Sequence, residues 1–322
     1  MRTITLEEHF VSQRFLDTVG INLGGQRGVD LSGGELTDLA DTRLRHMDAS
    51  GIDMQVLSHV VPTFAPLPHA LQVDISTAAN NQAAEAVAAH PDRFAAFATL
   101  PVGDVDASVT ELERAVKQLG FKGALLNGRA DGKFLDDPEL FPLLVKAAEL
   151  NVPLYLHPGL PTEALRNELY SGFGPSVGYA LSTAAWGWHA EAGLHALRLI
   201  AAGIFESLPN LHIILGHLGE MVPYMIDRAD EWLSPAMKFD GIAGPSVAET
   251  FRSNFWITTS GMFSSPQFLL ALQVLGAERI MFSVDYPFSP NSQGRAFFDG
   301  LEISPFEKEK VSHLNAEQLL GL

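Results

Sequence analysis

The stretch Thr3-Ile4-Thr5-Leu6-Glu7-Glu8-His9 holds the pattern that decides the fold, a short strand-like run that ends in residues able to bind a metal. Similar apolar runs, bounded by Gly, Pro or Asp, bring the total to eight. They cover residues 3–7, 54–58, 94–100, 123–126, 153–156, 212–215, 256–259 and 280–284. They lack polar alternation, which is typical of strands buried on both faces, as in a parallel sheet.

Amphipathic helical segments lie between most of these runs, at residues 81–90, 106–119, 140–150, 190–207 and 265–275. Alternating strands and helices indicate a parallel α/β fold. Eight such units in 322 residues match a closed (β/α)8 TIM barrel, which takes about 250 residues plus insertions. A doubly wound open sheet is the alternative. It is disfavoured because no Gly-x-Gly-x-x-Gly follows the first run, so no dinucleotide or other organic cofactor is expected.

The chain is predicted to form one barrel domain over residues 1–322, since no repeat or low-complexity tract marks a second one. Two connections exceed the usual length of βα loops, at about 10–38 and 158–187. Both follow strands at the same rim, and the second is rich in Gly, Pro and Ser. We expect them to cover the active-site face.

Composition excludes several classes of function. With 21 Lys and Arg against 38 Asp and Glu, the formal net charge is −17, which disfavours nucleic acid and anionic membranes as partners. The absence of cysteine leaves histidine, carboxylate and water as metal ligands. No apolar leader or run of about 18 apolar residues is present, so a cytoplasmic protein is expected.

Histidines and carboxylates stand at the carboxyl ends of the predicted strands. Glu7 and His9 end the first, His157 the fifth, His217 the sixth and Asp285 the eighth. Strand ends of a barrel converge on the face that carries its active site. Taken singly, Glu7 and His9 are as typical of a solvated strand end as of a metal site. His157 taken singly is as typical of a hydrogen-bonded core histidine as of a metal ligand. Together they indicate a site for Zn²⁺, Mn²⁺ or Fe²⁺.

Four motifs carry a resemblance to a known family: Leu-Glu-Glu-His-Phe at 6–10, Leu-His-Pro at 156–158, Ile-Ile-Leu-Gly-His-Leu-Gly-Glu at 213–220 and Phe-Ser-Val-Asp-Tyr-Pro-Phe at 282–288. They resemble the amidohydrolase superfamily and, within it, the aminocarboxymuconate-semialdehyde decarboxylase branch. The nearest likeness is to the hydroxybenzoate nonoxidative decarboxylases, which include the γ-resorcylate, 2,3-dihydroxybenzoate and 5-carboxyvanillate enzymes. The resemblance spans nearly the whole chain.

The resemblance implies four ligands to one divalent ion, Zn²⁺ or Mn²⁺: Glu7, His9, His157 and Asp285. It makes His217 a catalytic histidine beside them, whose second nitrogen Glu220 could hold. A dinuclear site of this superfamily normally needs a bridging lysine at the end of strand four. That strand ends in Asn127, and Lys122 precedes it, so a single ion is expected.

The implied reaction is the nonoxidative decarboxylation of a hydroxybenzoate-type acid with release of CO₂. The ring carbon that carries the carboxylate must receive a proton, and either Asp285 or His217 could deliver it. The alternative is a metal-dependent hydrolase of the same superfamily that acts on a lactone or amide. Glu-x-His in place of the His-x-His usual in those hydrolases favours the lyase.

Candidates for substrate binding come from several segments. Arg228 aligns with the family's carboxylate-binding arginine, although an ordinary surface charge is the alternative. Glu220, Tyr224 and Arg228 are expected to share one face of a helix. The other candidates flank the site motifs: Trp188, Tyr286, Phe288 and Asn127. The histidines at 46, 90, 195 and 212 are interpreted as structural. By resemblance alone, a homodimer or homotetramer is expected.

Overall fold

The computed structural model describes residues 1–19, 34–60 and 67–322, and in them eight parallel strands follow one another in sequence order. The strands are β1 (Ile4–Phe10), β2 (Met54–His59), β3 (Phe94–Ala96), β4 (Ala124–Asn127), β5 (Leu154–His157), β6 (Ile213–Leu215), β7 (Phe255–Thr258) and β8 (Ile280–Met281). Each predicted run overlaps one of them. The third and eighth strands are shorter than their predicted runs.

The strands form two sheets that meet at both edges. One sheet has the order β1-β2-β3 and the other β4-β5-β6-β7-β8. Single parallel bridges join Ala98 to Ala124 and Leu6 to Ser283. The eight strands therefore follow one another around a ring, which confirms the predicted (β/α)8 architecture and not the open sheet.

Helices fill the connections between strands. They are α1 (Gln13–Val19), α2 (Asp41–Ala49), α3 (His69–Ala89), α4 (Val105–Leu119), α5 (Phe141–Glu149), α6 (Glu163–Leu169), α7 (Pro175–Ser182), α8 (Gly187–Ala201), α9 (Ile204–Ser207), α10 (His217–Glu220), α11 (Val222–Phe239), α12 (Val247–Asn254), α13 (Ser265–Leu275), α14 (Asn291–Asp299), α15 (Pro305–Glu309) and α16 (Asn315–Leu320). Among the described helices, none combines the length and apolar character needed to cross a bilayer.

Helix α4 shows how local sequence sets helix ends. The Asp104 side chain accepts a hydrogen bond from the Ala107 N–H at its start, which satisfies a donor that has no partner within the helix. Gly120, with φ of 74°, ends it in the left-handed conformation, which glycine adopts without strain.

Two predicted helices had wrong bounds. The helix predicted over 81–90 begins at His69 in the structure. Its first half was missed because the residues that it buries include the polar Gln72, Ser76 and Asn80, which give no apolar periodicity. The helix predicted over 190–207 is split into α8 and α9, since Gly203 has φ of 70°.

The two long connections are only partly loops. The segment 158–187 contains α6 and α7, whose residues are mostly exposed. The segment 10–38 contains α1, and its residues 20–33 lie outside the described part of the chain, as do residues 61–66. A single domain over 1–322 with both segments covering the active-site face stays a prediction.

The core has two shells, one inside the ring of strands and one between strands and helices. On β5, Leu154 and Leu156 belong to the outer shell, whereas Tyr155 belongs to the inner shell. Because side chains alternate along a strand, His157 projects to the same side as Tyr155, at the carboxyl end of the barrel. This burial on both faces accounts for the unbroken apolar runs of the sequence.

Candidate active site

The four predicted metal ligands lie together at the carboxyl end of the barrel. His157 Nε2 is 3.1 Å from Glu7 Oε1, and His9 Nε2 is 3.9 Å from the same oxygen and 3.2 Å from Asp285 Oδ1. Ligand atoms of Glu7, His9 and His157 all lie within 4.8 Å of one another. The side chains therefore surround a point that one ion could occupy.

The donor set fits a divalent cation. Glu7 Oε1 and His9 Nε2 are buried and have no hydrogen-bond partner among the described residues, a costly state unless something else satisfies them. Burial alone would raise the pKa of Glu7, but the histidines around it, His217 foremost, hold that pKa well below its ordinary value. An ionised carboxylate and two imidazoles, with no thiolate, are ligands that suit Zn²⁺ or Mn²⁺.

A β-bulge turns Glu7 toward the site. The pairing of β1 with β2 shifts register between Thr5 and Glu8, and Glu7 has φ of 62°. Ile4 and Leu6 belong to the inner shell, so simple alternation would point Glu7 outward. The bulge reverses the alternation, as bulges beside active sites commonly do.

Neighbouring side chains fix the ligands. Tyr155 OH donates a hydrogen bond to Glu7 Oε2, and Ser58 Oγ lies 3.1 Å from His9 Nδ1. His157 Nδ1 lies 2.7 Å from the Pro158 carbonyl. Because a carbonyl only accepts, that nitrogen carries the hydrogen and leaves Nε2 free to bind an ion.

Glu8 fixes the backbone around Asp285. Its carboxylate accepts hydrogen bonds from the N–H groups of Val284, at 3.0 Å, and Tyr286, at 3.1 Å. Asp285 itself has φ of 71°, a strained conformation for a residue other than glycine. Burial raises the pKa of Glu8 to about 8, against the effect of these two hydrogen bonds.

His217 lies beside the ligands and is held by Glu220. Its Nε2 is 3.7 Å from Glu7 Oε1 and 3.9 Å from Asp285 Oδ2, while its Nδ1 is 2.7 Å from Glu220 Oε1. Burial lowers the pKa of His217, but Glu220 and then Glu7 more than offset this and raise it to about 10. The second nitrogen of His217 is thus paired with Glu220, the arrangement considered from the sequence.

A second histidine that the sequence analysis did not single out shares this carboxylate. His189 Nδ1 is 2.6 Å from Glu220 Oε2, and His189, His217 and Glu220 form a second group with closely spaced ligand atoms. Burial raises the pKa of Glu220, but His217 and His189 lower it to about 2. The nitrogens of His189 and His217 that face Glu220 are occupied by this pairing, unlike Glu7 Oε1 and His9 Nε2.

The predicted shared face of Glu220, Tyr224 and Arg228 is wrong. Met221, with φ of 64°, interrupts the backbone, and helix α11 begins only after it. Glu220 is buried, whereas Tyr224 is exposed and Arg228 is 60% exposed, paired with Glu231 at 2.9 Å. Among the described residues, no contact joins Arg228 to the ligand group, so its role stays a prediction.

The other four candidates for substrate binding differ in how close they lie to the ligand group. Phe288 packs edge-on against His9, with ring centroids 5.6 Å apart, and Asn127 pairs in register with His157. Trp188 is half-buried and its Nε1 has no partner among the described residues. Tyr286 is in the outer core, with its hydroxyl 3.0 Å from His46 Nδ1. Substrate contact for these four stays a prediction.

Sequence reasoning missed Tyr155, Glu8 and His189. In the sequence, Tyr155 is indistinguishable from the other apolar residues of its buried strand. Glu8 lies between the ligands Glu7 and His9, and nothing in the sequence gives it a separate role. His189 follows Trp188 in a helix, and only the fold brings it to Glu220. The expectation that Lys122 stays away from the site agrees with the structure, where its Nζ bonds the Gly321 carbonyl.

Comparison with known proteins adds three matches to this geometry. A family model described as amidohydrolase matches residues 9–322. The decarboxylase orsB of Emericella nidulans is 40% identical over 324 residues, covering 98% of this chain and 96% of that protein. The γ-resorcylate decarboxylase of Rhizobium radiobacter is 37% identical over 330 residues, covering 99% of this chain and 98% of its own length.

A solved structure is also similar over the whole chain. The dihydroxybenzoic acid decarboxylase of Polaromonas sp. JS666, with bound manganese and the inhibitor 2-nitroresorcinol, superposes with a TM-score of 0.90. Its sequence is 33% identical, and the match covers 100% of this chain and 97% of that one.

Proposed function

The chain belongs to the amidohydrolase family, and from that premise we propose that it is a metal-dependent decarboxylase of a hydroxybenzoate-type acid. The observation that carries the proposal is the ligand group, in which Glu7 Oε1 and His9 Nε2 are buried without hydrogen bonds beside His157 and Asp285. Relatives that match over nearly the full length are named as decarboxylases of aromatic acids, which supports this substrate class.

The four ligands would hold one divalent ion, Mn²⁺ or Zn²⁺. Bound there, such an ion supplies a Lewis acid that polarises and orients the carboxylate and phenolic oxygens of the substrate. The matching Polaromonas enzyme holds manganese, which supports Mn²⁺ as the first ion to test.

His217 is proposed to hold the proton that the ring receives. That proton bonds to the ring carbon that carries the carboxylate; the bond between this carbon and the carboxylate then breaks, its electron pair returns to the ring, and CO₂ leaves. His217 Nε2 faces the ligands while Nδ1 is fixed on Glu220, and against the effect of burial the Glu220 carboxylate raises the pKa of His217 and so favours the protonated imidazole. Asp285, the other candidate, would serve as a ligand.

Arg228 is proposed to bind the substrate carboxylate, a role suited to its fixed fork of donors. An Arg228→Ala variant should then raise KM for a hydroxybenzoate by about tenfold with little change in Tm, because its ion pair with Glu231 is exposed. The matched control is Glu231→Gln, which frees the arginine. Unchanged kcat and KM in Arg228→Ala would show that Arg228 is an ordinary surface charge and does not bind the substrate.

The test of the reaction uses protein loaded with Mn²⁺ or with Zn²⁺ and a panel of hydroxybenzoates and lactones. We expect CO₂ release and loss of the carboxylated ring from at least one hydroxybenzoate. Turnover of lactones alone would contradict the decarboxylase and favour the hydrolase.

The assembly and location of the chain remain proposals as well. A homodimer or homotetramer is supported by large apolar side chains exposed on α7 and α11, among them Val177, Tyr179, Tyr224 and Trp232, which an interface between chains would bury. Light scattering during gel filtration should give a mass of two or four chains, and a mass of one chain would contradict this. Cell fractionation tests the cytoplasmic location.

A further inference from the structure

We propose that His189 is a positioning residue for the reaction: it fixes Glu220, and through Glu220 it orients His217 toward the metal ligands. The inference rests on the proposed function in one respect, namely that His217 holds the proton for the ring. His189 itself lies edge-on against the His217 ring and bonds the other oxygen of the Glu220 carboxylate.

The contacts divide Glu220 between two imidazole rings. His189 Nδ1 lies 2.6 Å from Oε2, and His217 Nδ1 lies 2.7 Å from Oε1. The two rings are 4.9 Å apart, inclined by 64°, and Glu220 is 1% exposed. Each carboxylate oxygen therefore has its own partner, which leaves the carboxylate no freedom to rotate away from His217.

The second nitrogen of His189 fixes its donor pattern. Nε2 lies 3.0 Å from the Ala184 carbonyl oxygen, and a carbonyl oxygen only accepts, so Nε2 carries a hydrogen. Glu220 is ionised at neutral pH, so the bond from His189 Nδ1 is a donation to a carboxylate. A hydrogen bond to an ionised carboxylate is of the strong, charge-assisted form.

The packing of α8 brings His189 within reach. Gly193 lies one turn further along this helix, and a Cβ there would be 2.4 Å from the Glu220 carbonyl oxygen. Only glycine allows the helix to lie this close to the backbone of Glu220. Gly187, at the start of α8, packs in the same way on the Ser182 carbonyl, with 2.4 Å to a Cβ.

His189 therefore also ties the segment 158–187 to the site, because Ala184 lies near the end of that segment. One imidazole spans from the backbone of the segment to the carboxylate that holds His217. The two halves of this link can be separated by substitution, since they use different nitrogens.

The experiment compares two variants that each keep one half. In His189→Asn the amide nitrogen takes the place of Nδ1 and can still donate to Glu220. In His189→Gln it takes the place of Nε2 and can donate to Ala184 only. We expect kcat to fall about tenfold or more in His189→Gln and by less than about threefold in His189→Asn, with KM nearly unchanged in both.

The control is His195→Asn on the same helix. His195 is buried and its Nε2 accepts a hydrogen bond from the Leu135 N–H, far along α8 from Glu220. This variant should lower Tm without changing kcat, which sets the effect of a merely structural loss. Equal kcat in the two His189 variants, or a greater loss in His189→Asn, would overturn the proposal.

A second measurement does not depend on turnover. The His217 Nδ1–H that donates to Glu220 should give a downfield proton resonance, assigned by its absence in His217→Gln. We expect the resonance to persist in His189→Asn and to shift or broaden in His189→Gln. An unchanged resonance in both variants overturns the positioning role, even if the protein proves to decarboxylate no hydroxybenzoate.

Discussion

Glu7 shows at the scale of one residue how the candidate site is built, because its two oxygens have different surroundings. Oε2 accepts a hydrogen bond from Tyr155 and lies against Gly216, where a Cβ would be only 2.6 Å away. Oε1 has no hydrogen bond and faces His157. One oxygen is thus fixed by the protein, and the other is left for a cation.

Removal of a ligand should release the ion. His157→Ala deletes one of four ligands and Asp285→Asn removes the charge of another, and we expect metal affinity to fall about 100-fold or more in each. Elemental analysis after gel filtration measures bound metal per chain. His90→Ala, at the end of α3, is the control and should keep a full equivalent. Stoichiometric metal in both ligand variants would refute the assignment.

His217 should make the stability of the metal-free protein depend on pH. Its pKa is raised from 6.5 to about 10 in the folded state, so its contribution is fully present below pH 6.5 and is lost as pH rises to about 10. One proton limits the slope to about 1.4 kcal/mol per pH unit. Urea unfolding with a chelator present should show wild type losing stability across this window faster than His217→Gln. Parallel curves would contradict this.

The ligands could be predicted from the sequence, but the residues that hold them could not. Asp285 and His157 are polar residues that end apolar runs, and this position is visible in one chain. Glu8 and His189 act through backbone and side-chain contacts with residues distant in sequence, Val284 and Glu220 among them. Such pairs leave no pattern along the chain.

At the scale of elements, β1 gives the right prediction for an incomplete reason. On a regular strand, Glu7 and His9 would share a side because they are two residues apart. Leu6 already points into the barrel, so regular alternation would point Glu7 outward. The register shift and the φ of 62° at Glu7 turn Glu7 and His9 inward instead. A bulge with a non-glycine residue has no turn signal in the sequence.

The segment after β6 is the opposite case, where periodicity misled. Glu220 and Arg228 are eight residues apart, which would place them on one face of a continuous helix. His217, Leu218, Glu220 and Met221 all have positive φ, so the helix starts only at Val222. The strained turn is what allows His217 and Glu220 to bond each other. Only Gly219 among its five positive-φ residues is a glycine, so the residue types give a weak signal of the turn.

The close packing of α8 on this turn can be tested at Gly193. In Gly193→Ala the new Cβ would meet the Glu220 carbonyl at 2.4 Å, so the helix must move away and His189 must leave Glu220. We expect a loss of about 1–3 kcal/mol in the free energy of unfolding, with a fall in kcat like that of His189→Gln. Gly174→Ala is the control, because a Cβ there meets nothing within 4 Å. Equal stability of the two variants would contradict this packing.

At the scale of the whole molecule, the fold was predictable because eight apolar runs buried on both faces have few alternatives to a barrel. Closure of the barrel depends on two single bridges, from Ala98 to Ala124 and from Leu6 to Ser283. No residue pattern in the sequence predicts them. The helices α6 and α7 in the segment 158–187 were also not expected, since their residues are largely exposed and follow no apolar stripe.

The net charge of −17 gives a prediction that belongs to the molecule and not to any one residue. A hydroxybenzoate is an anion, so the field of the protein should repel it at a distance. The Debye length falls from about 30 Å at 0.01 M salt to about 8 Å at 0.15 M. Over this range kcat/KM should rise, by about two- to tenfold.

The control for this salt effect is a neutral ligand. The inhibition constant of resorcinol, an uncharged phenol, should stay constant over the same range, because the field acts on charge alone. A fall of kcat/KM with salt would mean that positive groups near the site, such as the exposed Arg228, guide the substrate more strongly than the remaining charge repels it. The sign of the slope therefore decides between the field of the whole molecule and the field of its active-site face.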